Sequence, residues 1–164
     1  PTTSTSIATR LSSFTPRRCG GVSSMRDKWR GKCRPEQPWT QWMVRAASNL
    51  ARARQGRQCE EVLFEDLCFD AQQAAEKALK ALLIFFGCKA PRTHSIGYLM
   101  RLIEDRICVP IPPDVRPAVI LSDYAVTTRY PGDWEPVDED EYNEAVKLAG
   151  RVYQWVLDTI QLHD

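Results

Sequence analysis

After residue 38, hydrophobic residues recur along most of the chain at steps of three and four, which is the period of an amphipathic α-helix. The first such stripe predicts a helix over about residues 40–55, ended by Gly56, and consists of Trp39, Trp42, Met43, Ala46, Leu50 and Ala53. The opposite side of this helix carries Arg45, Arg52 and Arg54, with Arg57 just beyond its end. We expect this basic face to be solvated, and the alternative is a contact with RNA or an acidic partner.

The longest stripe predicts a helix over residues 60–86, ended by Gly87. Its alanines allow a neighbouring helix to approach closely, and near its C-terminal end apolar residues surround most of the circumference. This end therefore needs cover on several sides, either from the rest of a bundle or from a second subunit. The members of the stripe are Phe64, Leu67, Cys68, Ala71, Ala74, Ala75, Ala78, Leu82 and Phe85.

Polar residues fill the remaining face of this long helix, among them the neighbours Glu76 and Lys77. Because consecutive helical side chains point about 100° apart, these two are not placed to act as an acid–base pair. We expect them on a solvated face. The polar residues of this face are Glu65, Asp70, Gln73, Glu76, Lys77 and Lys80.

A third and a fourth helix follow. The third is predicted over about residues 93–105, with Thr93 or Ser95 as its N-cap. The fourth is predicted over about residues 113–126, because proline is favoured in the first turn of a helix. The inward positions of the third helix are Ile96, Leu99, Met100 and Ile103.

The last helix is predicted from an N-cap at Asp138 to about residue 162. Glu141 stands three residues after the cap, as in a capping box, and Val137 and Tyr142 have the spacing of a hydrophobic staple. The chain lacks the alternating pattern with hairpin turns that strands would give. The sequence therefore predicts an all-α fold, an up-and-down bundle of four main helices plus a shorter one.

Residues 1–36 differ in composition from the rest and are predicted to be a basic, disordered N-terminal extension to a helical domain at 37–164. The first 34 residues hold eight Lys or Arg and one Asp, a formal charge of +7, whereas residues 35–164 carry −6. Three interpretations of this extension remain open: a targeting peptide, a nucleic-acid-binding arm, or sequence upstream of a true start near Met25. We favour the last.

Composition narrows the class of protein further. The longest apolar run is interrupted by Lys80 and is too short to span a membrane, which predicts no membrane segment. The six cysteines show no CxxC spacing and only two histidines are present, so we expect no metal site and reduced thiols in a cytoplasmic protein. The sequence also indicates no cofactor.

Three blocks of sequence, in order, resemble the prokaryotic HEPN-domain family. They are FEDLCFDAQQAAEKALKAL at 64–82, PRTHSIGYL at 91–99, and DYA at 123–125 followed by TRYPG at 128–132. The resemblance covers about residues 39–162. It implies a bundle of four helices plus a shorter one, usually dimeric. It also implies a partner of the minimal nucleotidyltransferase type in a toxin–antitoxin-like module, and a bound nucleotide or RNA.

Many HEPN proteins are metal-independent RNases that carry Arg-x(4–6)-His near the start of the last long helix, where Arg holds the phosphate and His is the general acid or base. This sequence departs from that pattern, since Arg92 stands only two residues before His94, and Lys89 occupies the position where Arg is needed. His163 has no arginine in that window, and Arg151 has no neighbouring histidine. The resemblance therefore carries no catalytic residue over.

Two groups of residues are candidates for a nucleotide or phosphate site. The first is Arg92 with His94, at the start of the third helix, where an anion is favoured; the alternative is that His94 helps to cap the helix and fix the loop. The second group is Asp123, Tyr124, Arg129 and Tyr130. In this group Arg129 would bind a phosphate and a tyrosine would stack on a base. The alternative is that Asp123 pairs with Arg129 to close a turn.

Three functions follow as hypotheses. The one we favour is a homodimeric binding or regulatory module, not itself an enzyme, that acts with a nucleotidyltransferase partner. The second is an RNase with an unusual active site, in which His94 is the catalytic base and Arg92 or Arg129 binds the phosphate. The third is a dimeric scaffold without a ligand. We expect a functional pocket if His94, Asp123 and Arg129 converge in space.

Overall fold

The computed structural model describes residues 37–127 and 135–163. Within these ranges the regular structure is helical, with no strand, which confirms the predicted all-α bundle. No helix in the same ranges is both long enough and apolar enough to cross a membrane. In chain order the elements are α1 (Pro38–Arg54), α2 (Phe64–Phe85), α3 (Ile96–Ile107), a 3-10 helix (Arg116–Asp123), α4 (Tyr124–Thr127) and α5 (Glu139–His163).

Helix α2 is the centre of the bundle. It packs against α1, α3, the 3-10 helix, α4 and α5, and its alanines are fully buried. The absence of a long side chain at these positions lets α1 and α5 approach the α2 backbone closely. Of the two kinds of cover that the sequence left open for this helix, the structure shows the rest of the bundle, and α2 begins at Phe64, four residues later than expected.

The ends of the first two helices are marked by glycines in the left-handed region of backbone space. Gly56 follows α1 with φ +70° and Gly87 follows α2 with φ +79°. A side chain is strained in this conformation, which explains why glycine ends both helices. The prediction of a stop at each glycine is confirmed.

Helix α3 begins at Ile96, with Ser95 as its N-cap: the Ser95 hydroxyl accepts a hydrogen bond from the Tyr98 backbone N–H at 3.2 Å. Its four predicted inward residues are all buried. Thr93 has a different role, since its hydroxyl accepts from the Ser95 N–H at 3.1 Å. Of the two predicted caps, Ser95 is the one that the structure uses.

The predicted fourth helix is wrong in type. Residues 116–123 form a 3-10 helix, and only Tyr124–Thr127 are α-helical. Pro117 lies at the start of this segment, and a proline has no N–H to give and crowds the carbonyl four residues earlier. The tighter winding begins there with a bond from the Ala118 N–H to the Val115 carbonyl at 3.0 Å.

Helix α5 has the N-cap that its sequence predicts. The Asp138 carboxylate accepts a hydrogen bond from the Glu141 N–H at 2.8 Å, as an N-cap should. Farther along, Gly150 leaves room for the guanidinium of Arg54 on α1, because a Cβ at this position would lie 2.9 Å from Arg54 Nη2.

The cysteines follow the prediction only in part. Cys59, Cys68 and Cys88 are free thiols, and Cys68 is buried in the core as its place in the apolar stripe indicates. Cys108 is disulfide-bonded, so the expectation of reduced thiols throughout is wrong at that position.

Candidate functional site

His94 lies at the end of the loop between α2 and α3, directly before the N-cap of α3. Its ring nitrogen Nδ1 is 2.9 Å from Glu76 Oε2 on the central helix. The imidazole is 55% exposed, whereas the Glu76 side chain is only 5% exposed. A half-exposed imidazole is therefore held against a carboxylate inside the bundle.

Glu76 belongs to a row of polar side chains one helical turn apart on α2. Lys80 Nζ donates to Glu76 Oε1 at 2.8 Å, and Gln72 Nε2 donates to Glu76 Oε2 at 2.9 Å. Gln72 Nε2 also lies 3.2 Å from the backbone carbonyl oxygen of His94. These four residues, which we name the His94 cluster, are Gln72, Glu76, Lys80 and His94.

The electrostatics of the cluster favour an ionised carboxylate. Burial raises the pKa of Glu76, but hydrogen bonds from Lys80, Gln72 and His94 outweigh burial, and the pKa lies below its usual value. An ionised carboxylate only accepts hydrogen bonds. The hydrogen of the His94–Glu76 bond therefore belongs to His94 Nδ1.

Helix α1 closes the cluster from another side. The Lys80 ammonium lies 5.7 Å from the centre of the Trp42 ring on α1, over the ring face. The charged head of Lys80 is thus covered by an aromatic ring instead of by water. Every buried side-chain N or O atom in the described ranges has a hydrogen-bond partner.

The sequence analysis missed this arrangement. Glu76 was expected on a solvated face and is buried, and Lys77 is half-buried. Sequence alone contained one signal for it: Gln72, Glu76 and Lys80 share a row at intervals of four on a helix that is apolar around much of its circumference. Polar residues on such a helix have to be buried with partners, because little of the helix is left for solvent.

A second buried carboxylate lies where α2 faces α1. Asp70 Oδ1 accepts from Asn49 Nδ2 at 2.6 Å, and Asp70 Oδ2 is 3.0 Å from Arg52 Nη2. Lys77 Nζ donates to Asn49 Oδ1 at 2.6 Å, and burial lowers the pKa of Lys77. These residues line a groove of about 480 Å³. Arg45, Arg52 and Arg54 are all exposed as predicted, and Arg52 also pairs with Asp70.

Tyr124, another candidate, is buried within the bundle. Its hydroxyl donates to Glu141 Oε1 on α5 at 2.5 Å, and it also interacts with the Cys68 thiol. Burial, followed by Glu141 and Glu65, raises the pKa of Cys68 to about 12, and burial also raises the pKa of Tyr124. These contacts join α4 to α2 and α5, which favours the structural interpretation of Tyr124.

The other candidate residues are placed as follows. Arg92 and Asp123 are exposed. The segment with Asp123 meets the start of α3, since the Ile96 N–H donates to Ser122 Oγ at 3.0 Å. Arg129 and Tyr130 lie outside the described residues, and so does the pairing expected between Asp123 and Arg129. The residue that the structure joins to His94 is thus Glu76.

The described residues contain no group of three or more His, Cys, Asp or Glu side chains that is arranged to hold a metal ion. At the His94 cluster, the exposed groups that can contact a ligand include the imidazole of His94 and Arg92, two residues before it. Such a site suits hydrogen bonding to an anion, or proton exchange with a bound hydroxyl.

The fold is an all-α bundle with a polar row on its central helix, and comparison with known proteins gives its family. Residues 39–159 match the HEPN domain family. The crystal structure of ST0689, an archaeal HEPN homologue, is 29% identical with a TM-score of 0.59, over 74% of this chain and 97% of that one. The crystal structure of TT1696 from Thermus thermophilus is 30% identical with a TM-score of 0.65, over 74% and 98%.

A search among curated proteins gave no significant match. The match to the family covers well over half of the chain, and it spans α1, α2, α3 and most of α5. The chain belongs to the HEPN domain family, as its three sequence blocks predicted.

Proposed function

We propose that the protein is a HEPN binding and regulatory module, which acts as a homodimer with a partner of the nucleotidyltransferase type. In this proposal it holds the phosphate of a nucleotide or RNA at the His94 cluster. The observation that carries the proposal is the half-exposed imidazole of His94, fixed on the buried carboxylate of Glu76.

The surroundings of His94 suit a phosphate better than a neutral ligand. Arg92 is exposed two residues before it, and the positive end of the α3 dipole starts two residues after it. The first-turn N–H groups of Ile96 and Tyr98 are already bonded to serine hydroxyls. The phosphate would therefore be bound mainly by the side chains of His94 and Arg92.

An exposed apolar surface supports a protein partner. Tyr98 on α3 and Val119 and Ile120 on the 3-10 helix are between 43% and 53% exposed. The two elements touch, because a Cβ on Gly97 would lie 3.2 Å from Val119 Cγ1. Neighbouring exposed hydrophobic side chains are typical of surfaces that another protein covers. The family resemblance suggests a second copy and a nucleotidyltransferase as the proteins concerned.

Two experiments test the proposal. Light scattering on the purified chain should give twice the mass of one chain, and Ile120→Asp should yield monomers if the surface is the interface. The proposal predicts a nucleotidyltransferase gene beside this one, and co-expression of the two should give a stable complex on affinity purification. A monomer that repeatedly fails to associate with such a neighbour contradicts the module.

The ligand is tested separately by calorimetric titration with AMP. Binding should be lost in His94→Ala and kept in His163→Ala, since His163 lies at the end of α5 and bonds to the Thr159 carbonyl. Equal binding by the two variants would place the ligand elsewhere.

An RNase is the second candidate, and one observation favours it. With Nδ1 bound to Glu76, His94 can take a proton at its other nitrogen, as a general base does. It would accept the proton of a ribose 2′-hydroxyl while that oxygen attacks the adjacent phosphorus, and the 5′-oxygen would leave with a proton from water. Purified protein and His94→Ala should be incubated with single-stranded and structured RNA. Cleavage that persists in the variant rules out this assignment.

A further inference from the structure

Both the ring and the backbone of His94 are held by side chains of one row on α2. Glu76 Oε2 bonds to the ring at Nδ1, and Gln72 Nε2 lies 3.2 Å from the carbonyl oxygen of the same residue. Gln72 is in turn fixed by Gln73, whose Nε2 donates to Gln72 Oε1 at 2.8 Å. The position of His94 is therefore set by the central helix, although the residue itself lies in a loop.

The side chains of His94 and Glu76 differ strongly in solvent exposure. The Nδ1 edge of the imidazole faces a carboxylate that is 5% exposed, while the imidazole as a whole is 55% exposed. The edge opposite Nδ1, which carries Nε2, is accordingly directed away from Glu76.

We propose that Glu76 is a positioning residue that holds His94 as the Nδ1–H tautomer and presents Nε2 to a bound phosphate. This inference rests on the proposed function and adds to it the atom that contacts the ligand and the residue that directs it. Neutral Nε2 is then a hydrogen-bond acceptor, and protonated Nε2 is a donor to a phosphate oxygen. The ring can change between these two states without breaking its bond to Glu76.

The charges around His94 are compatible with a second proton on its ring, at Nε2. Lys80 is paired with the same carboxylate, so its charge and that of Glu76 largely offset each other. A second proton on His94 then gives the cluster a net positive charge beside Arg92 on the surface. Phosphate should accordingly bind to the protonated ring.

The tautomer can be measured directly on the full-length protein by ¹⁵N NMR of the imidazoles at a pH where they are neutral. The chain has two histidines. In the second one, His163, Nδ1 is 2.7 Å from the Thr159 carbonyl oxygen, so this residue is an internal reference that does not depend on Glu76. We expect Nδ1 protonated and Nε2 unprotonated for His94. A mixture of tautomers, or a neutral ring protonated at Nε2, would overturn the inference. This test requires no variant.

Two variants test the role of Glu76. In Glu76→Gln with Lys80→Met, both charges of the pair are removed together and volume is kept, so no unpaired charge is left inside the bundle. His94 should then populate both tautomers, with His163 unchanged, and affinity for inorganic phosphate should fall roughly tenfold, as when a group that orients a ligating histidine is removed. An unchanged tautomer in the double variant overturns the positioning role.

His94→Asn separates a structural from a binding role. The asparagine amide can still donate to Glu76 from the place of Nδ1, but it has no group at the place of Nε2. We expect the melting temperature of the wild type together with loss of phosphate binding, which is measured by calorimetric titration because this variant has no His94 signal. Wild-type phosphate affinity in His94→Asn overturns the inference that Nε2 is the contact atom.

Inorganic phosphate and AMP are titrated in parallel, with the His94 Nε2 signal as the readout. If His94 keeps the Nδ1–H tautomer but its Nε2 signal shifts with neither probe, the proposed function is contradicted and the positioning role of Glu76 is supported. A shift with both probes supports both proposals. The two can therefore fail independently.

Discussion

Lys80 Nζ lies 2.8 Å from Glu76 Oε1 one turn earlier on α2, and the two side chains are only 8% and 5% exposed. This ion pair is inside the bundle, between the Trp42 ring and the His94 imidazole. A buried pair of this kind contributes little net stability compared with an apolar pair of the same volume, but it is costly to break on one side. Stability measurements can separate these two properties.

Lys80→Met should destabilise the protein by about 3–5 kcal/mol, because it leaves the Glu76 carboxylate inside the bundle without its main counter-charge. The double variant Glu76→Gln with Lys80→Met should recover most of this loss. Urea unfolding followed by circular dichroism measures both. A double variant no more stable than Lys80→Met would show that the pair is not coupled.

The same pair predicts a dependence of stability on pH. The pKa of Glu76 in the folded protein lies below its ordinary value of 4.5, so ionised Glu76 stabilises the folded state. This contribution is complete above pH 4.5 and is lost as the pH falls toward the lowered pKa of the folded state. Wild type should therefore lose stability below pH 4.5 more steeply than the double variant. Parallel acid titrations that fall together would contradict this assignment.

Much of the fold could be predicted from the sequence because the responsible signals are local. The stripe on α2, the glycines after α1 and α2, and the cap at Ser95 each depend on residues within a few positions of one another. The inward residues of α3 follow from the same spacing, and all of them are buried. The HEPN family was identified from three such blocks.

The burial of Glu76 was missed because the pattern argument assigned the polar residues of this helix to solvent. That assignment fails on a helix that is packed from several sides, where a polar row has to be satisfied internally. The bond between His94 and Glu76 joins residues 18 positions apart across a loop, and no spacing rule contains it. The 3-10 winding was missed because the prolines at the start of this segment were taken only as signals for the first turn of a helix.

Ser95→Ala should destabilise the protein by about 1 kcal/mol, because it removes the hydroxyl that accepts the Tyr98 N–H at the start of α3. Thermal unfolding measures the loss. Ser48→Ala is the control, since Ser48 is an exposed residue inside α1, where alanine is the better helix former. A change at Ser95 no larger than at Ser48 would contradict the capping role.

Tyr142→Phe tests the attachment of α5 to α1. The buried Tyr142 hydroxyl donates to the Ala53 carbonyl oxygen at 2.7 Å, and its ring stacks on Phe64 with centroids 5.0 Å apart. The variant keeps the stack and loses the hydrogen bond, so we expect a loss of about 1–2 kcal/mol in the free energy of unfolding. Tyr98→Phe, at an exposed position, should change it by less than about 0.5 kcal/mol.

The free thiols should differ in reactivity because burial acts on Cys68 in two ways. Its side chain is inaccessible to reagents. Its pKa is raised to about 12, so little of the reactive thiolate is present. With iodoacetamide at mildly alkaline pH, mass spectrometry should find the exposed Cys59 modified first, the half-buried Cys88 more slowly, and Cys68 only after unfolding. In denaturant all three should react. Equal rates for Cys59 and Cys68 in the native protein would mean that α2 separates from α4 and α5 far more often than a packed central helix can.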